Sequence, residues 1–143
     1  MRILARVRED QLRRALQSIA DARGAVLVDA GPFTEDEFDD AIRAAPDVVV
    51  VESGEVDDLS QLRAETDGAG SALIIACHDS NECQAAALAN ADEWILLPCD
   101  EKEIDIRITT AQQRAEGIHL PRRTEETVER FRYQELLYDR LTG

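Results

Sequence analysis

Pro46-Asp47-Val48-Val49-Val50-Val51-Glu52 holds four consecutive valines, a run with no polar face. A β-branched strand that is apolar on both sides must be covered on both sides. A central place in a parallel sheet, with helices above and below, does this. In such sheets the chemistry gathers beyond the carboxyl ends of the strands, in the crevice where the strand order reverses. Glu52 stands at that end, so the function of the chain turns on what a carboxylate does there.

Outward from this run, strand and helix patterns alternate. Arg2 to Val7 read as a short strand, and Asp10 is placed to cap a helix in which Leu12, Ala15, Leu16, Ile19 and Ala20 recur at helical spacing as far as Gly24. Ala25 to Val28 are a second strand, closed by the Gly31-Pro32 turn. Thr34 with Glu37 three residues on is a capping-box pattern, so a helix is expected from Thr34 through Ala45 with Phe38, Ala41, Ile42 and Ala45 toward the sheet. Pro46 stops it. Beyond Glu52, Val56, Leu59 and Leu62 mark a short helix that ends before Gly68-Ala69-Gly70, with Asp57-Asp58 as its start. Ala72 to Ala76 are a fourth strand, and Ser80 or Asp79 caps a helix whose Ala85, Ala86, Leu88 and Ala89 suit close packing. Trp94 to Leu97 form a fifth strand closed by Pro98. Asp100 with Glu103 then opens a helix to about Glu116, with Ile104, Ile108, Ala111 and Ala115 inward. Five such alternations are the pattern of a doubly wound, flavodoxin-like α/β fold with a five-stranded parallel sheet. A further helix from Thr124 to about Leu141 is surplus to that sheet and apolar on more than one side through Val128, Phe131, Leu137, Tyr138 and Leu141.

Composition narrows the function. With 16 Lys and Arg against 30 Asp and Glu, the 143 residues carry a net charge of -14, which argues against nucleic acid or an anionic membrane as a partner. Three cysteines without metal-like spacing fit a reducing cytoplasm, and no apolar run reaches the length of a membrane span or a signal peptide. Cys77 and Cys99 read as structural, and His78 and His119 have no partner at zinc-ligand spacing. The chain lacks a Gly-rich phosphate loop, a base beside a nucleophile and a metal cluster, so no catalytic residue, metal or cofactor is expected and an enzyme on this sheet is disfavoured.

The element order, the valine strand ending in an acid, and Asn90-Ala91-Asp92-Glu93-Trp94-Ile95-Leu96-Leu97-Pro98-Cys99-Asp100 together resemble the receiver domain of two-component response regulators over residues 1 to 116. The family's second segment typically reads Gly-Ala-Asp-Asp-Tyr-Leu-x-Lys-Pro-Phe. The resemblance places the phospho-accepting aspartate at Glu52 and the magnesium-holding acid pair near Val7 and Arg8, with Glu9 and Asp10 just past it. The switch hydroxyl falls on Ala76, or on Cys77 if the register slips by one, and the lysine before the proline on Leu97. Pro98 alone is retained, and the resemblance implies a cis Leu97-Pro98 bond. Phosphoryl transfer to a carboxylate needs the metal and the cation. The resemblance therefore implies a pseudo-receiver: the scaffold without the phosphorylation cycle.

Residues 117 to 143 read as a linker and signalling helix, and their last five carry a second resemblance. Asp139, Leu141, Thr142 and Gly143 are similar to the Asp-x-Leu-Thr-Gly opening of a GGDEF domain, the catalytic domain of diguanylate cyclases, which make cyclic di-GMP. This implies a regulatory part of a longer protein, with a GGDEF domain following in cis; the apolar surface of the last helix and its interleaved Arg and Glu residues lead to the expectation that two copies pair along it. A stand-alone protein-binding or scaffolding domain is the alternative. Two readings of Glu52 also stand side by side: a permanent negative charge that mimics phosphorylation, or an ion pair with Arg6 or Arg8.

Overall fold

The structure, a computed structural model, describes residues 1–117. Its strands are β1 (Arg2–Arg6), β2 (Val26–Asp29), β3 (Val48–Glu52), β4 (Ala72–Cys77) and β5 (Glu93–Leu96). The helices are α1 (Asp10–Arg23), α2 (Glu35–Arg43), α3 (Leu59–Ala69), α4 (Ser80–Leu88) and α5 (Glu101–Ala115), with a 3₁₀ turn at Ser53–Glu55. All strand pairs are parallel, in the order β2-β1-β3-β4-β5. Among the described residues no helix is long and apolar enough to cross a membrane.

The valines occupy the middle of this sheet and are 0% exposed. Alternation along a strand sends neighbouring side chains to opposite faces. Val48 and Val50 join the layer of α1 and α5, packing with Leu16, Ile19, Ile104 and Ile108. Val49 and Val51 join the layer of α2, α3 and α4, with Phe38, Ile42, Leu62 and Ala86. Each such side chain contributes roughly 1.5–3 kcal/mol by leaving water, which is why one strand can organise two helical layers.

Caps set where the helices begin. Thr34 and Glu37 form the reciprocal capping box at 3.1 Å in each direction. Asp58, Asp79 and Asp100 open α3, α4 and α5 by accepting the backbone N–H three residues on, at 2.9 to 3.0 Å. At α1 the expectation fails, because Glu9 and not Asp10 is the cap. Its longer side chain reaches back to the N–H groups of Gln11 and Leu12 at 3.0 and 2.7 Å, and Asp10 becomes the first helical residue.

Several boundaries also differ from the sequence reading, for reasons that lie in neighbouring elements. β1 stops at Arg6 and β5 at Leu96, while β2 runs on to Asp29 and β4 to Cys77, because the ladders close on the pairs Arg6↔Val51, Ala5↔Asp29 and Cys77↔Leu96. α2 ends at Arg43, and Ala45 takes a left-handed φ of 56° on the surface instead of facing the sheet. Val56 lies ahead of α3, not within it. In α4 the inward residues are Ser80, Cys83 and Ala86, whereas Ala85 and Leu88 face solvent. The helix expected at 124–141 lies outside the described residues.

Two acids at the start of β5 are fully buried and need partners to stay charged. Asp92 accepts Arg63 of α3 bidentately at 2.7 and 3.1 Å, together with the Leu73 N–H at 2.9 Å. Glu93 is held by Arg107 at 3.1 Å and by Arg114, both from α5. The pair thus ties a helix from each layer to the edge strand.

Placing a charge in the valine layer tests this arrangement. A Val50→Asp chain should fail to fold, since an unpaired buried charge costs several kcal/mol, comparable with the whole stability of a domain. Circular dichroism with a thermal melt reads this, and a cooperative melt near the wild-type temperature would contradict the central placement of β3.

Candidate functional site

The chain crosses from one side of the sheet to the other after β2, so the crevice of the fold lies at the carboxyl ends of β1 and β3. Glu52 is the last residue of β3 and is only 7% exposed. One carboxylate oxygen, Oε1, accepts the backbone N–H groups of Arg8 and Glu9 at 2.8 and 2.9 Å, where the chain leaves β1 to begin α1. The other, Oε2, lies 2.8 Å from Nε2 of His78. An ionised carboxylate has no proton to give, so Nε2 carries it and donates.

Burial raises the pKa of the Glu52 carboxyl, but the N–H groups of Arg8 and Glu9 and the His78 ring outweigh it and hold the group below the ordinary carboxylate range. His78 is shifted upward by its hydrogen bond to Glu52, against partial burial, with help from the charges of Glu52, Glu82 and Asp79. The result is a charge-assisted contact between the ends of two adjacent strands.

The expected partners of Glu52 were the side chains of Arg6 or Arg8, and neither fills that role. Arg6 turns away, donating to the carbonyls of Ala30 and Phe33 and lying 4.9 Å from the Phe38 ring centroid. Arg8 contributes its backbone, while its guanidinium pairs with Glu55 at 2.9 Å. No sequence spacing marks His78 for this role. The signal available was positional, because it directly follows a strand that pairs with β3, and Glu52 stands opposite Ala76 in that register.

The remaining pocket residues are placed as follows. Val7 is buried in the core and Asp10 is exposed, 3.8 Å from Arg13. Ala76 and Cys77 are fully buried at the end of β4, and the Cys77 thiol is pushed up by its hydrogen bond with Cys83 and by burial. None of the three cysteines forms a disulfide. Leu97 donates its N–H to the Cys77 carbonyl at 2.7 Å, and the Leu97-Pro98 bond is cis. Leu97, Pro98 and Cys99 line a cleft of about 550 Å³ with His78, Trp94 and Arg107. The structure therefore brings together Glu52, the backbone of Arg8 and Glu9, and the His78 ring, while Asp10 stands apart. Asp139, Leu141, Thr142 and Gly143 lie outside the described residues.

These donors do not fit magnesium. Both Glu52 oxygens accept N–H groups, both Glu9 oxygens are spent on capping α1, and the partial positive charge of two amides points where a cation would have to lie. Among the described residues no group of three or more His, Cys, Asp or Glu is gathered to hold a metal ion.

Comparison with solved structures gives the fold a name. A response regulator receiver domain protein from Clostridium thermocellum superposes with a TM-score of 0.62 at 18% identity, covering 82% of this chain and 98% of that one. A response regulator from Thermotoga maritima gives 0.64 at 16% identity, covering 78% and 97%. This is the receiver fold. A putative CpaE2 pilus assembly protein from Sinorhizobium meliloti shares it, with a TM-score of 0.54 and 16% identity over 78% of this chain and 99% of that one. No family model matches the sequence, and no curated protein matches it. Within the receiver fold, Glu52 sits at the carboxyl end of the central strand, at the crevice.

Removing the Glu52 side chain should cost stability locally. Glu52→Ala leaves the Arg8 and Glu9 N–H groups without their acceptor, a loss of about 1–3 kcal/mol, while Glu52→Gln keeps an oxygen in place and should lose less. Urea unfolding midpoints measure both, and an alanine variant as stable as wild type would show that these contacts carry no weight.

Proposed function

We propose that this chain is a non-enzymatic signalling module, a pseudo-receiver that takes no phosphate and regulates a GGDEF-type domain following in cis. The observation that supports it most is the engagement of the whole Glu52 carboxylate by two backbone N–H groups and the His78 ring. A nucleophilic carboxylate must present a free oxygen to phosphorus with a metal and a cation at hand. Glu52 has both oxygens committed, and the resemblance puts Leu97 where the cation should stand and Val7 and Arg8 where metal-holding acids should. Glutamate is one methylene longer than aspartate, which lets it reach the amides between β1 and α1. A fixed negative charge there occupies the position without a phosphorylation cycle.

The output half of the proposal rests on the sequence of residues 118–143. Asp139, Leu141, Thr142 and Gly143 supply the resemblance to the start of a GGDEF domain, and two copies pairing along the preceding helix would bring two such domains together. Two measurements test the halves separately. Incubation with a small acyl phosphate and magnesium should leave the intact mass unchanged, and a phosphate adduct on Glu52 would refute the pseudo-receiver reading. Truncation after Pro121 should leave a folded monomer in sedimentation analysis where the full chain is a dimer. A monomeric full chain, or a truncated chain that stays dimeric, refutes pairing through that helix.

A further inference from the structure

Resting on the reading of Glu52 as the centre of the site and deepening it, we propose that the input read there is a proton. Protonated His78 latches the turn between β4 and α4 onto the carboxyl end of β3, and loss of that proton loosens the latch.

The latch is carried by geometry. Oε1 of Glu52 is bound by backbone amides that cannot titrate, and the contact at Oε2 is with the His78 ring. That ring bridges the rims of two strands. Its side chain is 46% exposed and exchanges protons directly with solvent, whereas that of Glu52 is 9% exposed and stays fixed. His78 is also tied to the helix behind it, since its backbone N–H donates to Oε1 of Glu82 at 3.1 Å while Asp79 caps α4 through the Glu82 N–H at 2.9 Å. Movement of the ring is therefore felt in the first turn of α4.

The charged groups around the ring decide its preferred state. Glu52 faces it from β3, and Asp79 and Glu82 from its own turn and α4. Asp100, Glu103 and Arg107 border the shared cleft from the α5 side. The turn after β1 is linked to it through Glu52, which accepts the Arg8 and Glu9 N–H groups, while the Arg8 guanidinium pairs with Glu55 and the Glu9 carboxylate caps α1. Acids predominate, so the imidazolium is favoured; loss of the second ring proton leaves Nε2–H donating to the carboxylate but removes the ring's charge, and with it the ion pair that tightens the contact.

The signs follow from the two shifts. His78 is raised in the folded chain, so its contribution is complete below the pKa of a free imidazole and is lost as pH rises through the folded value. Glu52 is lowered, so its contribution is present above the pKa of a free carboxyl and is lost as pH falls through the folded value. The latch is closed between these limits and opens on the alkaline side.

An NMR titration of the full chain tests this, with the His78 ring assigned by H78Q. The expected result is that the amide shifts of Ser80 to Cys83 move with the same midpoint as the ring, that E52Q lowers the midpoint, and that H78Q abolishes the step in those amides while β3 signals stay in place. Amides of α4 that remain flat through the wild-type ring titration, or a midpoint unchanged in E52Q, overturn the latch. The wild-type titration alone can refute it should a variant fail to fold. A phosphate adduct in the mass experiment refutes the pseudo-receiver reading instead, so the two failures are distinguishable.

Discussion

A strand without a polar face cannot tolerate water on either side, and the arrangement of this protein follows from meeting that demand for β3. With 0% exposure at Val48 to Val51, both faces of the sheet need a helical layer, so the winding of the sheet must reverse once, leaving α1 and α5 on one face and α2, α3 and α4 on the other. The reversal creates a crevice at the carboxyl ends of β1 and β3. Whatever residue ends β3 is delivered to that crevice, partly buried, beside the backbone amides of Arg8 and Glu9 ahead of α1.

A carboxylate so placed must be solvated by the protein. Glu52 is, by two amides and one imidazole, and the arrangement has a directional consequence. Backbone N–H groups and an imidazole N–H form a site of positive potential, complementary to an anion and opposed to a metal ion. The extra methylene of glutamate fills that site from within the chain. In the receiver fold this is the position at which the resemblance expects an aspartate, and here Glu52 occupies it with both carboxylate oxygens engaged by N–H groups.

The other end of the sheet solves a related problem with different means. Asp92 and Glu93 enter the core at the foot of β5 and are matched by Arg63, Arg107 and Arg114 from helices in opposite layers. A buried ion pair adds little net stability over an apolar pair of the same shape, but breaking one half leaves a buried charge and costs about 3–5 kcal/mol. Such pairs therefore specify which helix turn meets which strand. They fix the seating of α3 and α5 against an edge strand that has a sheet neighbour on one side only.

Much of the fold was legible from residue order alone. The valine run, the Thr34 and Asp100 capping patterns and five alternations of period determine a doubly wound sheet, because backbone hydrogen bonding and burial act locally and leave periodic traces. The strand order β2-β1-β3-β4-β5 follows from handed crossovers, and the identity of Glu52 as the residue at the crevice follows with it. Tertiary structure decided the partners. Arg6 and Arg8 lie close in sequence to the site and carry the complementary charge, yet Arg6 is claimed by carbonyls and an aromatic ring and Arg8 by Glu55, while His78 from another strand's end takes the contact. Likewise Glu9 displaced Asp10 as the cap of α1, since side-chain reach and the local path of the chain choose between adjacent acids. Sequence period records which face of an element is dry; which two side chains meet across a crevice depends on distances of an ångström or less between segments far apart in the chain, and these leave no periodic mark.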